Sequence, residues 1–179
     1  MNTTSLRNWL AVSLAEQIGP IRFHALLSHF KDPQAVLAAS AKELISIGLP
    51  AAALPGLLEP NWSQVDEALR WAEQANAYVL PLSDSRYPQQ LQHIPDPPPV
   101  LFVHGQIEAL QQTQLAIVGS RHPSPMGEEN AYAFAMELAK TGIVITSGMA
   151  LGIDAAAHRG ALAAKGLTIA VAGTGLNII

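Results

Sequence analysis

Up to about residue 77, apolar side chains recur at helical spacing; beyond it they gather into short unbroken runs. Leu6, Trp9, Leu10 and Leu14 share one helical face, and Phe23, Leu26, Leu27 and Phe30 share another. Between them Ile18-Gly19-Pro20-Ile21 marks a tight turn, and Ile47-Gly48-Leu49-Pro50 repeats it after Leu44 and Ile45. Val65, Ala68, Leu69, Ala72 and Ala75 form a further stripe over 63–76, with Ser63 placed as cap and Asp66 three residues on. Two helix–turn–helix units in tandem predict a small all-α module of the helix-hairpin-helix or sterile-alpha-motif kind. Such turns can hold a phosphate on free amides at a helix start. The hairpin signal, however, wants glycine on both sides of the central apolar residue, and Gln17 occupies the first place. A packing role for the module is therefore the expectation.

The pattern then changes. Residues 78–82 and 100–103 read as strands, separated by Asp96-Pro97-Pro98-Pro99, which fits neither helix interior nor central strand. This places the start of a sheet near Tyr78 and divides the chain into a helical domain, 1–76, and a second domain, 77–179. From there 115–118, 143–146 and 168–172 read as strands. Ala131, Phe134, Ala135 and Leu138 mark one intervening helix, and the alanine-rich 155–164 marks the other. Buried strands alternating with helices imply α/β architecture: a Rossmann-like parallel sheet with right-handed crossovers. A doubly wound sheet continues beyond such a strand, so the sheet reads as incomplete at its C-terminal side and the sequence as part of a longer protein.

Composition narrows the function classes. Only 13% of the 179 residues are charged and 49% are apolar, which excludes global disorder. Ten Lys and Arg against fourteen Asp and Glu leave a formal charge of −4, so any nucleic-acid site must be local. Without cysteine there is neither disulfide framework nor thiolate metal site, and the histidines show no ligand spacing. No run reaches the ~20 apolar residues of a membrane span, and the N-terminus lacks a signal-peptide pattern. A cytoplasmic protein without metal is expected.

The chemistry gathers at strand ends. The first run leads into Gly119-Ser120-Arg121, followed by a helix whose start is unusually complete: Ser124 as cap, Pro125 in the first position, and Glu128 with Glu129 in the first turn. Lys140 and Gly142 signal its end. Free amides and about half a positive charge at that start converge with Arg121 on one point, an anion site. A guanidinium grips two phosphate oxygens and stays charged at any working pH. The alternative is that Arg121 pairs with Glu128 or another carboxylate. A dinucleotide fingerprint fails, because Arg121 and Ser124 stand where its second and third glycines belong, and the phosphate-loop pattern is missing too.

A second turn runs from Ser147-Gly148 to Gly152, and a third is Gly173-Thr174-Gly175. Asp154 and His158, four apart, share a helical face. Ser147, Asp154 and His158 are the residue types of a hydrolase triad, but Ser147 lies in no nucleophile elbow, and two partners on one helix cannot serve as separate base and orienter. The expected roles are helix capping for Asp154 and a hydrogen bond to a neighbouring turn, or a place in the pocket, for His158.

Taken in order, these residues resemble the DprA (Smf) family, the DNA-processing proteins of bacterial natural transformation. The likeness rests on Ala116 through Arg121 with Ser124 and Gly127, Ser147-Gly148, Gly152-Ile153-Asp154, Ala157-His158, Ala161-Leu162, Gly166, and Thr168 through Leu176. Tyr87-Pro88, Pro97-Pro98-Pro99 and Leu101 to Gly105 fit the family's lead-in, and the helical half resembles it more loosely. The resemblance implies single-stranded DNA bound in the crevice of an extended Rossmann sheet, protected there and passed to the RecA recombinase. It implies a homodimer in the full-length protein, no cofactor and no enzymatic activity. The DNA site it implies comprises Gly119, Ser120, Arg121, Ser124, Gly127, Ser147, Gly148, Gly152, His158, Gly173, Thr174 and Gly175, with Arg121 a principal contact. Two departures stand out: the sequence ends at Asn177-Ile178-Ile179 where the family continues, and Met126 occupies a place often aromatic. The rival reading is a nucleotide-processing enzyme of the lysine-decarboxylase-like superfamily. Its Pro-Gly-Gly-x-Gly-Thr turn and following glutamate are missing from 147–154.

Overall fold

In the computed structural model, residues 3–173 are described. They form two compact units, Met1–Ile107 and Glu108–Ile179.

The first unit begins with helices α1 (Thr3–Ser13), α2 (Pro20–Phe30), α3 (Pro33–Ala38), α4 (Ala41–Ser46), α5 (Leu54–Leu58) and α6 (Trp62–Ala72). Their starts are local chemistry. Asp32 caps α3 by accepting from the Ala35 amide, Pro33 takes its first position, and Ser40 with Glu43 closes a full capping box on α4. The box's hydrogen bonds to Ser40 hold the Glu43 carboxyl below its ordinary value. On α6 the cap is Asn61, which accepts from the Gln64 amide, rather than Ser63. Asn61 sits where the backbone is still non-helical, so its side chain can turn back onto the amide of the third helical residue, Gln64. The turn after α1 carries Gln17 at φ 65°, and the turn after α4 carries Gly48 at φ 86°. The first left-handed position thus falls on the residue that breaks the hairpin signal.

The core of this unit gathers Trp9, Val12, Phe23, Leu26, Val36, Leu44 and Leu57, with the Trp9 and Phe23 rings 5.3 Å apart. Strands β1 (Ala77–Pro81) and β2 (Val100–His104) pair antiparallel, with Val79 opposite Phe102. This corrects the expectation of one sheet starting near Tyr78: the pair is a separate two-stranded sheet. Its burial explains why, because Val79 and Val100 pack with Leu10 and Val65 of the helices. A short helix, α7 (Gln89–Gln92), lies between the two strands. Two side chains hold the proline segment that follows it. Tyr87, buried, donates its hydroxyl to the Pro98 carbonyl at 2.8 Å, and His24 Nε2 lies 2.8 Å from the Pro97 carbonyl.

In the second unit, strands β3 (Gln114–Ala116), β4 (Val144–Ser147) and β5 (Thr168–Ala170) form a parallel sheet in that order. Helices α8 (Pro125–Lys140) and α9 (Ile153–Ala163) connect them. The α/β expectation is met: a helical part precedes a Rossmann-like part. Both helices pack on one face of the sheet, where Ala135, Ala139, Ala157 and Ala161 close over Ile145. Small residues let the helices approach closely. Gly160 marks the tightest point, where an added Cβ would lie 2.2 Å from the Tyr132 carbonyl oxygen. On the opposite face Gln114 and Thr146 join side chains at 2.7 Å. Among the described residues, no helix is long and apolar enough to cross a membrane.

Candidate nucleic-acid interface

Two turns leave the C-terminal ends of β3 and β4, and β5 ends at the same edge, where open parallel sheets hold ligands. The first turn is built from its own side chains. Ser120 Oγ accepts from the His122 amide at 3.0 Å, and Ser124 Oγ accepts from the Gly127 amide at 3.1 Å, capping α8 as its sequence predicts. The Ser120 and Arg121 amides make no hydrogen bond among the described residues. Arg121 is exposed and forms no ion pair among them. Glu128, the carboxylate nearest in sequence, is taken by Arg159 of α9 at 2.5 Å. The alternative left open by the sequence, Arg121 paired with Glu128, is not what the structure shows.

The second turn is pressed against the first. The Ile153 amide donates to the Ser120 carbonyl at 3.1 Å. Gly152 has φ +83°, and a Cβ on it would lie 2.4 Å from that same oxygen and 2.8 Å from the Arg121 carbonyl. Only glycine combines that dihedral with that approach. The Met149 amide, like those of Ser120 and Arg121, makes no hydrogen bond among the described residues. Unbonded amides in two adjacent turns, one of which carries the exposed Arg121 with no ion pair among the described residues, are groups suited to an anion.

The remaining expected residues have other work. Ser147 is buried and donates its hydroxyl to the Ile117 carbonyl at 2.5 Å, fastening β4 to the start of the first turn. It therefore holds the turns together rather than facing a ligand. His158 is also held on both nitrogens: Nε2 donates to the Gly148 carbonyl at 2.8 Å, and Nδ1 lies 2.7 Å from Thr168 Oγ1. This is the expected bond to a neighbouring turn. Asp154 does not cap α9, whose cap residue is Gly152 with no side-chain bond. Instead, buried, it accepts at 3.4 Å from the Ala150 amide, inside the second turn. Ser147 and His158 thus have separate partners and form no nucleophile–base pair. The Val171 amide donates to the Ser147 carbonyl at 2.8 Å and carries β5 toward Gly173; Thr174 and Gly175 lie outside the described residues.

Sequence reasoning missed Met149 and Leu151, both exposed within the second turn. Two large apolar side chains between Gly148 and Gly152, in a stretch with no helical or strand period to bury them, were the available signal.

A parallel α/β sheet with helices on one face, and glycine-bearing turns leaving its strand ends, defines a Rossmann-like fold. The model of the family DNA recombination-mediator protein A matches residues 78–179, and the chain belongs to that family. Protein Smf of Escherichia coli (strain K12) is 46% identical over 115 residues, covering 64% of this chain and 31% of that protein. Protein Smf of Synechocystis is 34% identical over 177 residues, covering 96% of this chain and 44% of that protein. The chain therefore spans less than half the length of these two curated relatives. The X-ray structure of DNA processing protein A from Streptococcus pneumoniae superposes with a TM-score of 0.79 at 27% identity, covering 96% of this chain and 59% of that one. The matched region begins at residue 78, inside β1, whereas the compact units part at Ile107. The β1–β2 hairpin thus falls within the family's region while packing with the helices.

Proposed function

We propose that this chain carries the phosphate-gripping turns of a protein that binds and protects single-stranded DNA and passes it to the RecA recombinase during DNA uptake. The observation that carries the reading is the exposed Arg121 guanidinium, unpaired among the described residues, beside free amides of two interlocked turns. Backbone amides and one arginine hold a few phosphates without the broad basic surface that a net charge of −4 excludes. The relatives named DNA processing protein agree with this reading. Gly119, Ser120, Arg121, Ser124, Gly127, Gly148, Gly152 and Gly173 would shape the contact surface, while Ser147 and His158 would support it from behind. Cytoplasmic location, a homodimer and the lack of enzymatic activity belong to the same reading.

Fluorescence anisotropy with a labelled single-stranded oligonucleotide tests it. Arg121→Ala should weaken binding by about ten- to a hundredfold, the worth of a charge-assisted hydrogen bond, with thermal melting unchanged. Affinity should fall steeply with salt, and the variant should lower that slope by about one. An unaffected variant, or a titration indifferent to salt, overturns the reading. The RecA step is removed if the protein leaves recombinase filament growth on single strands unchanged.

A further inference from the structure

The turns that carry Arg121 also carry apolar side chains that the fold does not bury. Val118 is 71% exposed, Met126 71%, Met149 66% and Leu151 76%. Val118 precedes Gly119 in the first turn, and Met126 stands in the first helical turn beyond the Ser124 cap. Leu151 precedes Gly152, whose backbone meets the Ser120 and Arg121 carbonyls. Two turns whose backbones meet thus carry four exposed apolar side chains and one exposed arginine. Large apolar side chains left exposed on turns that lean on one another mark a candidate interaction site.

We propose that Met149 and Leu151, flanked by Val118 and Met126, form the platform on which the bases of a bound single strand lie while Arg121 and the free amides hold its phosphates. This rests on the single-strand reading above and names the part of the ligand that reading leaves unplaced. Charge complementarity selects this occupant. A nucleotide strand presents anionic phosphates and flat apolar base faces within one residue's length, and this surface offers a matching cation and apolar neighbours. A duplex keeps its base faces stacked inside and can offer only the phosphates. The platform is aliphatic and thioether rather than aromatic, so it grips a base face by contact area and sulfur–ring attraction without reading its edges. It therefore selects single strands over duplex and distinguishes poorly among bases.

The test compares two ligands on the 179-residue chain: a labelled oligothymidine, and an abasic deoxyribose-phosphate strand of equal length. Met149→Ser/Leu151→Ser should bind oligothymidine at least about fivefold more weakly, the low end of one stacked base. Its binding to the abasic strand, its salt slope and its melting temperature should match those of the unsubstituted chain. Equal affinity of the double variant for oligothymidine overturns the platform, as does an equal loss on both ligands. So does a changed oligomeric state with oligothymidine affinity intact, which would make the patch a seat for a second copy. Arg121→Ala reports separately on the phosphate reading. Full retention of abasic-strand binding by that variant, or no binding of either strand by the unsubstituted chain, sinks the underlying reading itself.

Discussion

His158 binds the carbonyl of Gly148 through Nε2 at 2.8 Å, joining the middle of α9 to the turn that follows β4. A carbonyl can only accept, so Nε2 carries a hydrogen. The other nitrogen, Nδ1, faces the Thr168 hydroxyl, which also lies 2.7 Å from the Ile145 carbonyl. One imidazole therefore links the second turn to β5, and through Thr168 back to β4. Replacement by alanine leaves the Gly148 carbonyl without that donor, at a cost of about 1–3 kcal/mol. His158→Ala should lower the melting temperature and weaken strand binding together. Thr168→Val should have the smaller effect on binding, and a double-mutant cycle in thermal melts should show the two residues coupled.

Gly152 is the seam between the two turns. An alanine there must hold φ near +83° with its Cβ 2.4 Å from the Ser120 carbonyl, which nothing short of a backbone shift relieves. Gly152→Ala should destabilise the chain by about 1–3 kcal/mol, the cost of a strained backbone position, in a urea titration. It should also loosen single-strand binding, because the Ser120 carbonyl it displaces accepts from the Ile153 amide.

Glu128 and Arg159 are both well exposed, so their ion pair contributes little to stability. Glu128→Ala should shift the melting midpoint by no more than about 1 kcal/mol in stability. The same change removes a negative charge from the start of α8, beside the Arg121 turn. Affinity for a single strand should therefore rise, most clearly at low salt. A loss of affinity would show that Glu128 works with the site rather than against it.

Tyr87 supplies a pH signature. Burial pushes its phenol up to about 12 from the ordinary 10, because the phenolate would be cut off from water. Between those values the unfolded chain releases a proton that the folded chain keeps. Its contribution is therefore whole below about pH 10 and is lost as pH rises toward 12. Tyr87→Phe should flatten the alkaline fall in stability measured by urea titration across that window. At neutral pH it should cost about 0.5–1.5 kcal/mol for the hydrogen bond to Pro98.

Hydrogen bonds spanning three residues made much of this molecule readable in advance. The Ser124 cap and the strand–turn–helix order of the second unit each follow from neighbouring residues. The apolar runs at 115–118, 143–146 and 168–172 overlap the observed strands for the same reason. Misreadings arose where local choices were nearly equal: Asn61 and Ser63 both suit a cap, and the backbone around Asn61 decided between them. The β1–β2 hairpin was legible as two strands. Its separation from the parallel sheet was not, because that depends on Leu10 and Val65 burying its Val79 side.

The chain's own order of residues determined that turns rich in free amides would leave a parallel sheet, and that an arginine would stand on the first of them. Only the tertiary structure decided which groups are left available there. Glu128 is claimed by Arg159, thirty-one positions away, and Ser147 by Ile117, thirty positions away. Met149 and Leu151 stay exposed because none of the described residues covers them. Pairing and burial depend on distances in space, and spacing along a chain sets those only as far as one turn of helix or one step of strand.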